Sequence, residues 1–124
     1  MYNEDEIVKI KSIQKKLNSI FTIVKRHNGI VKALSDDIEA QPAILMLLIA
    51  IAEQFTKLKN NNSILLSNFE ESDLKGIASV RNFIAHDYDG VQLAIIESTI
   101  RYKLPEILKI IDAILLEVSK SENN

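Results

Sequence analysis

The chain has 124 residues, enough for one domain with a core of its own, and its 47% hydrophobic and 26% charged content is that of a soluble globular protein. A net charge of −2 and a pI near 5.7 argue against a protein that coats nucleic acid over its whole surface; any RNA contact should be confined to a local groove. Cysteine is absent, which excludes disulfides and thiolate metal sites and fits a reducing cytoplasm.

In chain order, Asn3 can cap a first helix, with Glu6 three residues on as the second half of a capping box. The start, MYNEDEIVKI, is acidic and lacks the basic-then-apolar order of a signal peptide. Ile7, Ile10, Ile13, Leu17, Ile20, Phe21 and Val24 recur at spacings of three and four, the pattern of one amphipathic helix. Lys11, Lys15, Asn18, Thr22 and Arg26 form its polar, solvated face. Asn28-Gly29 ends it, with Gly29 the expected left-handed residue and His27 a cap.

Ser35, Asp36 and Asp37 are candidate caps for the second long helix, which starts between Asp37 and Pro42 and ends near Lys59. Its run Ala43 to Ala52 is apolar nearly all round, so it should be the central helix, with Met46 in the core. The run is too short to span a bilayer, and no membrane partner is expected. Asn60-Asn61-Asn62 reads as a turn, and Ser63 to Glu71 has room for one short helical turn.

Ser72 or Asp73 should cap the third long helix, which ends between His86 and Tyr88 ahead of an Asp89-Gly90 turn. The last helix runs from about Val91 to Ser119, with a kink expected where Pro105 removes a hydrogen bond to the Arg101 carbonyl. Ser121 to Asn124 should fray. The expectation is a single all-α domain over residues 1–124: an up-and-down four-helix bundle, with an extra short helix accommodated between the long ones.

The segment Asp73 to Gln92 carries the chemistry. It holds one of three arginines and one of two histidines, as Arg81-Asn82-Phe83-Ile84-Ala85-His86-Asp87-Tyr88. On a helical wheel started at Leu74, the residues Ile77, Ala78, Ile84 and Ala85 share one side, with Arg81 in their midst. A guanidinium cannot shed its proton, so Arg81 there needs a buried acid, an interface or a bound anion. His86 lies about 140° from Arg81, so the helix must end near it if the two are to converge. An arginine and a histidine together suffice for RNA cleavage by its own 2′-hydroxyl: one stabilises phosphorane charge, the other moves a proton. No metal or other cofactor is called for. The plainer reading is an Arg81–carboxylate pair with His86 as a helix cap. Glu53 is a candidate acid for that pair, or else an exposed residue on the last polar strip of its helix.

Residues 77–91, IASVRNFIAHDYDGV, resemble the Arg-x4-His-x-Tyr signature of the HEPN superfamily, in particular the HepT-like toxins of HepT/MntA toxin–antitoxin pairs. The resemblance extends from about Pro42 to Leu116. Ile51-Ala52-Glu53-Gln54 is similar to the family's IGEA element, with Ala52 for glycine and Gln54 for alanine, and Leu104-Pro105 is similar to its LP pair. The first helix matches only in being amphipathic. The resemblance implies a helical homodimer whose two Arg-x4-His segments meet as one metal-independent endoribonuclease site. It implies that Arg81 binds the scissile phosphate, His86 moves the proton, and Asn82, with Asp87 and Glu53 nearby, supports the site. It also implies that a nucleotidyltransferase antitoxin (MntA-like) silences the toxin by AMPylating Tyr88. The competing class is a non-catalytic helical module that binds a nucleotide or a partner protein.

Overall fold

The structure, a computed structural model, describes residues 3–122 and is helical throughout, with no strand among those residues. Helix α1 spans Glu4–Arg26. Asn3 caps it as expected, its Oδ1 accepting from the N–H groups of Asp5 at 2.8 Å and Glu6 at 3.3 Å, but among the described residues the Glu6 side chain makes no return bond, so the capping box is half formed. Acids fill its first turn and Lys25 and Arg26 its last, as the helix dipole favours. Ile7, Ile10, Ile13, Leu17 and Ile20 are buried.

At its far end the left-handed residue is Asn28, φ 62°, rather than Gly29. Gly29 follows at φ 140°, and its N–H donates to the Val24 carbonyl at 3.0 Å while Asn28 N–H donates to Lys25 at 3.1 Å. This is the paired closure of a Schellman motif, with asparagine taking the strained position. Asn62, φ 53°, repeats it after the second long helix, where Ser63 N–H reaches the Leu58 carbonyl at 3.0 Å.

A short helix α2, Ile30–Ser35, leads to α3, Ala40–Asn60. Asp36 is the corner between them. Its carboxylate accepts from the N–H groups of Ile38, Glu39 and Ala40 and from His27 Nε2 at 3.1 Å, while His27 Nδ1 faces the Ile23 carbonyl at 2.9 Å. The pKa of His27 is raised, chiefly by that carbonyl and then by Asp36 against some desolvation. That of Asp36 is lowered, chiefly by the N–H groups of Ala40 and Glu39.

Helix α3 packs against α1 and α4, burying Ile44, Leu45, Leu48, Ile51, Ala52, Phe55 and Leu58. It is longer than its apolar run, and by length and composition alone its 21 residues could cross a membrane. Its apolar surface is not fully covered, however. Met46, expected in the core, is 57% exposed, because the buried stripe passes on either side of it through Leu45 and Leu48. Next comes a 3₁₀ turn, Ile64–Asn68, capped by Ser63 Oγ. It is held to α3 by an edge-on contact of Phe69 with Phe55, centroids 5.2 Å apart.

Helix α4 runs Glu71–His86. Neither Ser72 nor Asp73 caps it. Asp73 lies in its first turn, buried, with its carboxylate 3.3 Å from Lys103 Nζ. The chain then enters α5, Leu93–Ser98, a π-turn at Thr99–Lys103, and α6, Leu104–Glu122, which together form the last long helix. The expected disturbance at Pro105 takes the form of that π-turn. Leu104 N–H donates to Thr99, five residues back, and the widened turn accommodates a ring that cannot donate. Ser121 and Glu122 are helical, not frayed; Asn123 and Asn124 lie outside the described residues. α6 closes the bundle against α1, where Gln14 Nε2 donates to Asp112 Oδ1 at 2.8 Å.

Candidate active site

Which face of α4 is buried decides what Arg81 can do. The buried residues are Asp73, Ile77, Val80 and Ile84, spaced four, three and four. On the wheel that stripe is centred roughly 70° from Arg81. The expectation that Arg81 sits in the middle of the core stripe is therefore corrected. Ala78 and Ala85, counted with the core by their apolarity, are exposed, and Arg81 is a half-buried residue at the stripe's edge.

The carboxylate pair expected on the plainer reading is not made. Among the described residues Arg81 has no ion pair, and its one side-chain hydrogen bond is a marginal 3.5 Å from Nη1 to Asn82 Oδ1. Glu53 is exposed on α3, so it is not a buried partner. It does line a small hollow with Lys57, Arg81 and Asn82, without an ion pair to the guanidinium.

The helix stops where convergence requires. His86 is its last residue, and Asp87 leaves helical geometry at φ −149°, ψ 78°. Gly90 N–H folds back to the Asp87 carbonyl at 3.2 Å and to Asp87 Oδ1 at 3.0 Å. Residues 87–90 thus form a closed turn, and Val91 and Gln92 lead from it to α5. Between this return and α4 lies an open groove of about 940 Å3. Arg81, Asn82, His86 and Asp87 line one side; Gly90, Val91, Gln92 and Ile95 line the other. Arg81, Asn82 and His86 are thereby brought to one groove despite the angle between them on the helix. The His86 ring is exposed and has no hydrogen-bond partner among the described residues, so it is not acting as a cap through its side chain. Tyr88 stands on the turn, 41% exposed, outside the groove lining.

Sequence reasoning did not single out Gln92, Ser79 or Lys57 as neighbours of the site. Lys57 could have been found, because it follows Glu53 by one helical turn. Gln92 ends the segment assigned the chemistry, but its place at the groove depends on the closure of the 87–90 turn. Among the described residues no three His, Asp or Glu side chains are grouped to hold a metal ion.

A guanidinium with no ion pair among the described residues can bind a phosphodiester in two parallel hydrogen bonds, and an unengaged imidazole lining the same groove can move a proton on or off it. Comparison with curated proteins and with solved structures gave no significant match. The family described as "Ribonuclease HepT-like" matches residues 4–114, a span that takes in α1 as well as the motif. The chain belongs to the HepT-like ribonuclease family.

Proposed function

We propose that the protein is the endoribonuclease toxin of a toxin–antitoxin pair, acting in the cytoplasm as a homodimer whose two Arg81/His86 segments form one site. The observation that carries this reading is Arg81: half-buried, without an ion pair among the described residues, and lining the same groove as a His86 that has no hydrogen-bond partner among them. The dimer is supported by what a single copy leaves open. Phe83, 53% exposed, lines the same groove as Arg81 and His86 and is apolar surface beside the motif.

In the proposed reaction the substrate's 2′-oxygen attacks the adjacent phosphorus and the 5′-oxygen leaves, giving a 2′,3′-cyclic phosphate and a 5′-hydroxyl. One His86 takes the 2′-proton and the partner subunit's His86 gives a proton to the 5′-oxygen, so no metal ion is needed. Arg81 holds the phosphoryl oxygens, whose charge grows at the phosphorane. Asn82 orients Arg81, and Glu53 and Asp87 support the site. The antitoxin, an MntA-like nucleotidyltransferase, would transfer AMP from ATP to the Tyr88 hydroxyl with release of pyrophosphate. The added bulk and negative charge would exclude RNA.

The test is RNA incubated in EDTA with the wild type, Arg81→Ala and His86→Ala. The wild type should yield cyclic-phosphate ends and the variants should not. If all three leave RNA intact while mass spectrometry shows Tyr88 unmodified, the ribonuclease reading is wrong. A monomer in sedimentation would remove the composite site.

A further inference from the structure

The two walls of the Arg81/His86 groove differ in kind. The α4 wall brings Arg81, Asn82 and His86, groups that suit a phosphate and a moving proton. The opposite wall brings Val91 and Ile95 with one amide side chain, Gln92. Val91 and Ile95 are half-buried and packed against the core, so they offer a fixed apolar surface. Gln92 has no task in the fold. It stands just before α5, where Ser, Thr, Asp or Asn would cap the helix, and its side chain makes no capping bond. It is exposed, and among the described residues its amide makes no other hydrogen bond. Gln14 and Gln41, by contrast, spend their amides inside the fold, donating to Asp112 and to the Leu34 carbonyl at 2.8 Å each. An apolar surface with one unspent amide, across a groove from an arginine and a histidine, matches a nucleotide. The base face lies on the aliphatic side chains, the base edge meets the amide, and the phosphate meets the guanidinium.

We propose that Val91, Gln92 and Ile95 form a seat for one unpaired base of the RNA, next to the scissile phosphate, and that the Gln92 amide reads the edge of that base. The inference rests on the ribonuclease reading and deepens it. The substrate is single-stranded at the cut, because a base paired within a duplex cannot offer both its face and its edge to the protein. Gln92 sets specificity and takes no part in breaking the bond. Its amide presents a donor beside an acceptor. A carboxylate in its place would present two acceptors. Among the RNA bases only guanine carries two adjacent donors on its Watson–Crick edge, N1–H and N2–H, so the exchange of amide for carboxylate has a chemical signature of its own.

The test is a pool of RNAs with a randomised unpaired tract, digested by the wild type, Gln92→Ala and Gln92→Glu. The ends produced are sequenced, and base frequencies are compared at each position flanking the cut. Both substitutions fall on an exposed side chain without a bond, so the melting temperature should not change. Gln92→Glu should enrich guanosine at one position beside the cut by at least about fivefold over the wild type, the low end of what a bidentate base contact discriminates. Gln92→Ala should show no such enrichment, which ties the effect to the paired acceptors. A change in overall rate cancels in the frequencies, so a merely structural effect of either substitution moves nothing. A smaller guanosine enrichment overturns the base seat, as does one spread alike over several positions or shared by Gln92→Ala. In each of those cases RNA has been cut and the ribonuclease reading stands. If the wild type cuts no RNA, that reading fails and the seat with it.

Discussion

His27 is the C-terminal cap of α1 and His86 the last residue of α4, so both stand at the C-terminal end of a helix. Their surroundings are opposite. Both ring nitrogens of His27 face acceptors, the Ile23 carbonyl and the Asp36 carboxylate, and the ring ties the end of α1 to the start of α3. The His86 ring has no hydrogen-bond partner among the described residues and lines a groove with Arg81. Two of the three arginines make the same contrast: Arg101 is paired with Glu97 at 3.0 Å, and Arg81 has no ion pair among the described residues. A side chain whose bonding capacity is used up fastens the fold; one left with capacity unspent beside a groove is available for chemistry. Helix position alone does not separate the two cases.

The comparison is broken most directly by exchanging the roles under test. His86→Ala should lower RNA cleavage by about 10²–10⁴-fold, the range for loss of a general acid–base group, and His27→Ala should leave it unchanged. If His27→Ala, folded by circular dichroism, is the inactive one, the assignment is reversed. The next largest effect is on stability. Ile84→Ala, on the buried face of α4, should cost about 2–5 kcal/mol in chemical denaturation. Phe83→Ala, one residue away on the open face, should cost about 0.5 kcal/mol or less in dilute protein and weaken self-association in sedimentation. Arg81→Ala should leave the melting temperature intact while cleavage is lost, whereas Arg101→Ala should leave cleavage intact and give up only an exposed i,i+4 pair of about 0.3–0.5 kcal/mol.

The smallest effect is in the pH dependence. The pKa of His27 is raised from 6.5, so its contribution is full below that value and fades as pH climbs through the raised one. The pKa of Asp36 is lowered from 3.8, so its contribution is full above that value and is lost as pH falls through the depressed one. Thermal melts should hold a plateau between the two, with His27→Ala flattening the alkaline decline and Asp36→Asn the acid one.

Where local chemistry decides, the sequence can be read closely. The Asn3 cap, the phase of α1, the end of α4 at His86 and the bond of His27 to the Ile23 carbonyl all depend on residues close in sequence. Some departures are local, as where Asn28 and not Gly29 takes the left-handed position, but the larger ones come from contacts made at long range. The buried face of α4 is misplaced because alanines count as apolar wherever they sit, while Asp73 is a core-facing acid only by virtue of Lys103, thirty residues later. Met46 looks central in a string of leucines, but no second element among the described residues comes to cover it. Short α2 has too few residues for a period to show. A kink is expected at Pro105; the structure instead widens the helix into a π-turn over Thr99–Lys103, just ahead of the proline.

The closure of α1 also sets how this protein will age. Asn-Gly pairs deamidate when the glycine amide nitrogen attacks the asparagine side chain. In the folded chain the Gly29 nitrogen is occupied, its hydrogen committed to Val24 at 3.0 Å. The reaction therefore has to wait for α1 to fray. Isoaspartate at position 28 would accumulate as a record of time spent unfolded, legible by peptide mapping of stored protein.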